Sequence, residues 1–121
     1  MRETKQLTRS EFQVMQILWT LPEEGGFTGD ILEHYADPKP AYTTLATFLK
    51  ILHRKGFVRH RKRGNKLFYT PAVDKRTYAK IYFAPVRNTF FNGSIVEEIR
   101  FILNNEQLND EERQALHELI G

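Results

Sequence analysis

The sequence predicts a mainly α-helical fold of the α+β class, and three observations indicate it. A helix is expected over residues 42–55, because apolar side chains recur there at intervals of three and four residues. Two short, strand-like runs rich in basic residues follow, joined by a turn at 63–65. Further helical periodicity fills residues 73–121. Together these features predict an N-terminal winged helix-turn-helix over residues 1–72 and a C-terminal three-helix dimerisation region over residues 73–121.

The helix at 42–55 is expected to bury one face and expose the other. Gly56 predicts that it ends at Lys55, because glycine adopts the left-handed conformation after a helix at least cost. Thr43 or Thr44 is expected to cap its start. The apolar face comprises Leu45, Phe48, Leu49 and Leu52, and the opposite face Thr43, Thr47, Lys50 and Arg54.

The basic stretch after Gly56 is predicted to form a β-hairpin, the wing. Its strands are expected at 57–62 and 66–70, where β-branched and aromatic residues interrupt the basic ones. Gly64 and Asn65 are residues that supply the positive φ angles of a tight hairpin turn. Pro71 is expected to close the second strand, because it has no amide hydrogen to donate.

Two helices are predicted before residue 42. Thr8 and Glu11 form a capping box, which predicts a first helix over roughly 9–20. The Glu-Glu-Gly-Gly stretch that follows is expected to be a flexible loop. Thr28 is expected to cap a short second helix that ends before Asp37-Pro38.

Three helices are predicted in the C-terminal region. Asp74 is expected to cap the first, and Pro85 predicts a kink or restart within it, since an interior proline costs about 3 kcal/mol. Asn92-Gly93 predicts its end. Ser94 is expected to cap the next helix, and Asn109 with Glu112 the last.

The apolar faces of these helices predict a dimer interface. Some fifty residues cannot build a good independent core, and a symmetry-related copy would bury the same faces. A pocket for a small ligand is the less favoured use of the aromatic side chains here, because no polar cluster accompanies them. The predicted dimerisation residues are Tyr82, Val86, Phe90, Ile95, Ile99, Ile102, Leu103, Leu116 and Leu119.

Composition excludes several classes of function. The chain has no cysteine, which excludes disulfides, thiol catalysis and cysteine-based zinc sites. No catalytic motif is present, and the four histidines do not have the spacing of metal ligands, so we expect no enzyme, metal or cofactor. No run of residues is long and apolar enough to span a membrane, and the polar start lacks a signal-peptide core. A cytoplasmic protein without membrane insertion is expected.

The charge distribution indicates a nucleic-acid partner. Residues 1–71 hold 12 Lys and Arg against 7 Asp and Glu, whereas residues 72–121 hold 6 against 8. No acidic residue occurs between Asp37 and Asp74, an interval with nine basic ones. A surface of one sign attracts polyanions. The predicted DNA-binding residues are Tyr42, Thr43, Thr44, Ala46, Thr47, Lys50, Arg54, Arg61, Lys62, Arg63 and Lys66.

A second class of function is kept beside DNA binding: a winged-helix module that binds proteins and has no DNA target. Such a module usually exposes an apolar or charge-balanced recognition face. The uninterrupted basic interval over 38–73 favours DNA.

The stretch YTTLATFLKILHRKGFVRHRKRGNKLFYTP resembles the recognition helix and wing of the penicillinase and methicillin-resistance repressor family. The tail FNGSIVEEIRFILNNEQLNDEERQALHEL is similar to that family's dimerisation tail. The resemblance runs from about Thr8 to the C-terminus. It implies a homodimeric repressor that binds double-stranded operator DNA.

The resemblance also implies a switch. Members of the family are often encoded beside a membrane metalloprotease receptor, whose signal leads to cleavage in the tail helices. The Asn-Phe pair that is cut in the penicillinase repressors aligns here with Phe101-Ile102, and an arginine common in the recognition helix is replaced by Ala46. The copper-sensing branch carries a Cys-x-Cys pair, which this chain lacks.

Overall fold

The structure, a computed structural model, describes residues 6–121 and contains helices and one small sheet. The chain divides into two compact units, Met1–Tyr82 and Phe83–Gly121. The elements in order are α1 Arg9–Leu18, β1 Gly26–Phe27, α2 Thr28–Glu33, α3 Tyr42–Lys55, β2 Val58–Arg63, β3 Lys66–Pro71, α4 Lys75–Phe91, α5 Ile95–Asn105 and α6 Asp110–Ile120. This order confirms the α+β class and the winged helix-turn-helix.

The core of the first unit lies where α1, α2 and α3 meet the sheet. Leu45, Leu49 and Leu52 of α3 are fully buried, as their spacing predicted. Burial of each such side chain contributes about 1.5–3 kcal/mol. Phe12 and Trp19 pack against this core and are only partly buried. Other members of the core are Val14, Met15, Leu18, Leu21, Ile31, Tyr35, Phe57, Val58, Tyr69 and Tyr78.

The first unit extends beyond the boundary suggested after residue 72, because the start of α4 packs onto α1. The buried Tyr78 hydroxyl accepts a hydrogen bond from the amide of Leu7 at 2.8 Å. The Trp19 indole donates to the carbonyl of Val73 at 3.0 Å. Tyr82, predicted as a dimerisation residue, belongs to this unit, and its ring stacks on Phe12 with centroids 6.4 Å apart.

The sheet has the strand order β1-β3-β2, with both pairings antiparallel. The predicted flexible loop is wrong at its second half. Gly25 and Gly26 are buried, and Gly26 pairs with Tyr69 in β1. A Cβ atom at Gly25 would overlap the backbone oxygen of Tyr69. The glycines therefore serve close backbone approach rather than mobility.

The wing turn uses one left-handed residue. Gly64 has a φ of 65°, and Arg63 pairs with Lys66 across the turn. Asn65 is not among the described residues with positive φ, so the expectation that both residues adopt it is wrong for Asn65. A two-residue turn with positive φ only at its first position is the type II′ arrangement, which suits the twist of a hairpin.

Caps define the helix starts, with two corrections. The capping box of α1 is confirmed, since Glu11 Oε1 accepts from the Thr8 amide at 3.0 Å and Thr8 Oγ1 from the Glu11 amide at 3.2 Å. Thr28 is the first residue of α2 rather than its cap, because β1 leads directly into the helix and Phe27 takes the cap position. Likewise Ala41 precedes α3, which places Thr43 and Thr44 within its first turn.

In the C-terminal part of the chain, the predicted caps are confirmed. Asp74 Oδ1 accepts from the Thr77 amide at 2.7 Å, which lowers the pKa of Asp74. Ser94 and Asn109 cap α5 and α6 through their side chains. The helix α4 runs uninterrupted through Pro85, so the expected restart is wrong. Proline removes one amide donor from the helix, and the alternative expectation of a kink at Pro85 stays a prediction.

Candidate nucleic-acid interface

The helix α3 exposes a polar face, and its opposite face is buried in the core. Its buried leucines fix one side in the core, and Thr43, Thr47 and Lys50 are exposed on the other. Tyr42, Thr44 and Arg54 are also exposed, whereas Ala46 is half-buried. Because the buried leucines anchor α3 in the core, these side chains project from one defined side of it, as the side chains of a recognition helix do.

The hydroxyl group of Thr47 is hydrogen-bonded within α3. Its hydroxyl donates to the carbonyl of Thr43 at 3.0 Å, so the donor is used within the helix. The oxygen can still accept, and the methyl group remains on the exposed side chain. Thr47 therefore offers an acceptor and an apolar contact, the groups that meet a base amino group or a thymine methyl.

An ion pair fixes the end of α3 to α1. Lys55 Nζ lies 2.7 Å from Glu11 Oε1, and Glu11 is only 5% exposed. Burial of the carboxyl opposes its ionisation, but the hydrogen bonds from Lys55 and Thr8 and the charge of Lys55 outweigh it and lower the pKa of Glu11. Sequence reasoning missed this contact, since Glu11 was already explained as a capping residue.

The wing carries its basic residues in two different environments. Arg61, Lys62 and Lys66 are exposed. Arg63 is half-buried, and its guanidinium carbon lies 3.7 Å from the centroid of the Phe68 ring. Its Nη1 also lies 3.3 Å from Glu23 Oε1. The sequence counts these four cations alike, and the structure separates one of them from the rest.

A cleft opens between the start of α3 and the wing turn. Its volume is about 350 Å³, and sequence reasoning did not predict it. The cleft is lined by Tyr42 at the start of α3, by Lys66 at the start of β3 and by Thr28 at the start of α2. The carboxylate of Asp30, also in its wall, accepts from the Phe27 amide at 3.0 Å. The cleft therefore places the Lys66 cation and the hydroxyl groups of Tyr42 and Thr28 beside the recognition helix, with the Asp30 carboxylate in the same wall.

The chain is similar to known proteins over nearly its whole length. The chain matches the penicillinase repressor family over residues 7–121. The chain belongs to the penicillinase repressor family. The match includes both the winged-helix unit that ends at Tyr82, called the head below, and the C-terminal helices α5 and α6, called the tail, as the sequence resemblance implied.

Relatives of this family member are similar in sequence and in fold. The penicillinase repressor of Bacillus licheniformis is 26% identical over 121 residues, covering 99% of this chain and 93% of that one. The solved DNA-binding domain of the repressor BlaI is 26% identical, with a TM-score of 0.54, and covers 64% of this chain and 94% of that chain. The Bacillus licheniformis BlaI monomeric form, solved in complex with the blaP half-operator, gives a TM-score of 0.51 at 26% identity with the same coverage.

Two histidines join α3 to the wing in this penicillinase-repressor family member. The rings of His53 and His60 stack with centroids 4.1 Å apart, and His60 meets Tyr69 edge-on at 5.4 Å.

Within residues 6–121 no group of three or more metal-ligating side chains occurs. Nor does any helix in the described part of the chain have the length and apolar character needed to cross a membrane.

Proposed function

We propose that this chain is a homodimeric, sequence-specific DNA-binding repressor. The observation that carries the proposal is the exposed polar face of α3 beside an exposed basic wing, in a stretch without any carboxylate from residue 38 to 73. The half-operator complex of its relative BlaI supports the same use of the head. Operator binding implies a cytoplasmic location.

In this proposal α3 enters the major groove and the wing follows the backbone. Side chains at the start of a recognition helix reach base edges, and cations on a wing meet phosphates. Tyr42 and Lys66 would flank one phosphate at the cleft between them. The residues assigned to the major groove are Tyr42, Thr43, Thr44, Ala46, Thr47, Lys50 and Arg54, and those assigned to the wing contact are Arg61, Lys62, Arg63 and Lys66.

The tail helices would supply the dimer contact. None of the residues of α5 and α6 is buried within the single chain. Ile95, Ile99, Ile102 and Leu103 are exposed apolar side chains on one helix. Phe90 and Leu119 are more exposed still, while Val86 and Leu116 are half-buried. Such a surface is costly in water, and a second copy would cover it isologously.

Cleavage in the tail would release the operator. Phe101 and Ile102 are 54% and 46% exposed in the single chain, and the proposed dimer contact would cover Ile102. Both residues lie inside α5, and a protease requires extended backbone, so cutting would depend on local unfolding of that helix. A membrane metalloprotease is the proposed upstream partner. Phe101 also contacts Phe91 with ring centroids 5.6 Å apart, which would resist such unfolding.

Binding sites selected from random duplexes should be inverted repeats. Two heads related by a two-fold axis are expected to read half-sites about 10 base pairs apart or a multiple of that spacing. Footprinting of the selected duplexes measures the spacing. Full-affinity binding of a monomer to one isolated half-site would contradict the dimer, and no enrichment of any sequence would favour the protein-interaction module.

Changing Arg61, Lys62 and Arg63 together to Ala should flatten the salt dependence of operator binding. Each lost phosphate contact reduces the log–log slope by about 0.9, while sequence preference stays nearly intact. Thr47→Val is the matched control, since it should change the preference among operator variants and leave the slope alone. Titrations at several salt concentrations give both quantities. If the triple variant keeps the wild-type slope, the wing lies outside the interface.

A further inference from the structure

The guanidinium of Arg63 contacts other residues of the head at its surface. It lies over Phe68 at 3.7 Å and pairs with Glu23, which belongs to the segment between α1 and β1. Phe68 is only 4% exposed, and its ring also meets the ring of Phe27 edge-on at 5.2 Å. Phe27 in β1, Phe68 in β3 and Arg63 in β2 therefore form one continuous row of contacts across the sheet.

The strand register shows that this side chain folds back from the wing turn. Arg63 pairs with Lys66 at the turn, but Phe68 pairs with Arg61, two residues further from it. A guanidinium above Phe68 is thus level with Arg61 and away from the tip. Within residues 6–121, Arg61 and Lys62 have no carboxylate at ion-pair distance. The four wing cations are therefore not equivalent.

We propose that Arg63 is a positioning residue, which holds the wing at its angle to the head, and that it makes no phosphate contact. This inference rests on the proposed DNA-binding function and changes the role of one residue within it. Arginine suits the task because its planar group stacks on an aromatic face and pairs with a carboxylate at once. Its charge is paired with that of Glu23, and Arg61, Lys62 and Lys66 are left to meet the backbone.

The contacts of Arg63 with Phe68 and Glu23, called the clamp below, are energetically preferred to a contact between Arg63 and a phosphate. To reach a phosphate, Arg63 would have to leave both Phe68 and Glu23 and uncover a ring that is now almost buried. Each of those contacts is worth a few-fold in an equilibrium constant, so losing both costs about fivefold to tenfold. Arg61 and Lys62 face no such loss when they meet DNA.

Operator titrations of the full chain over a range of salt concentrations separate the two roles. Arg63→Ala should weaken binding about fivefold at every salt concentration, with the wild-type slope. Arg63→Lys should be as weak as Arg63→Ala, because lysine keeps the charge but cannot lie flat on a ring. Arg61→Ala is the matched control and should lower the slope by about 0.9. A slope lowered by Arg63→Ala and restored by Arg63→Lys would overturn the proposal.

Amide hydrogen exchange of the free full chain tests the clamp without DNA. Arg63→Ala should speed exchange at the amides of residues 66–68 about fivefold, while Arg61→Ala leaves it unchanged. If the wild-type chain binds no duplex, the proposed function fails and the exchange experiment alone decides the clamp. Unchanged exchange in Arg63→Ala overturns the positioning role whatever the DNA result.

Discussion

A chain that ends after Phe101 is expected to be monomeric and to lose most of its operator affinity. The truncation removes Ile102, Leu103 and all of α6, which form much of the exposed apolar surface of the tail. Two heads joined by the tail bind as one ligand at high effective concentration, and separate heads do not. The expected loss is about 10²- to 10⁴-fold. Sedimentation and operator titration of residues 1–121 against 1–101 measure both effects.

The head should remain folded in this truncation, because its core of Leu45, Leu49 and Leu52 belongs to the other unit. Near-ultraviolet circular dichroism of Trp19 checks this. In the full chain Ile102→Asp should also dissociate the dimer, since it places a charge in an apolar interface. Asn104→Asp, at an exposed position of the same helix, is the control. A truncated chain that stays dimeric and binds as tightly as the full one would rule out tail cleavage as the off-switch.

Lys55→Met is expected to destabilise the head by about 2 kcal/mol, because it leaves the buried carboxylate of Glu11 with the Thr8 amide but without its charged partner. The dependence of the free energy of unfolding on pH should also change in the acidic range. The pKa of Glu11 is lowered in the folded chain, so its stabilisation is complete above the unfolded pKa and is lost as the pH falls through the lowered value. Without Lys55, burial would raise that pKa, and the loss would begin at higher pH.

Urea unfolding at several pH values measures the effect of Lys55→Met. Lys75→Met, at an exposed position at the start of α4, is the matched control and should change little. Equal stability of Lys55→Met and the wild type at neutral pH, with the same acid unfolding profile, would show that the ion pair contributes nothing to holding α3 in place.

Local chemistry explains why many elements of the fold were predictable from the sequence. The spacing of Leu45, Leu49 and Leu52 indicates both the helix and its buried face, and Gly56 marks its end with a φ of 86°. The caps at Thr8, Ser94 and Asn109 use neighbours three residues away, so the sequence displays them directly.

Tertiary contacts explain what was missed. The strand β1 is two residues long and has no periodicity, and only the approach of Tyr69 accounts for Gly25. The burial of Tyr78 assigns the start of α4 to the first unit, whereas helical spacing alone shows an apolar face without its partner.

The candidate site divides in the same way. The exposed face of α3 follows from periodicity, and the basic wing follows from composition. The engagement of Arg63 by Phe68 and Glu23 does not, because a count of charges cannot show which of them are paired. The pair of Glu11 and Lys55 joins residues 44 apart in sequence, beyond any local pattern.

Amide protection of the full chain on addition of a selected operator duplex tests the central claim most directly. If α3 and the wing form the DNA-binding surface, slowed exchange is expected in residues 42–50 and 61–67, with a dependence on salt. The amides of α5 and α6 should be unaffected in a chain that is already dimeric. Protection confined to α5 and α6, or no protection by any duplex, would contradict the proposal that the head binds DNA.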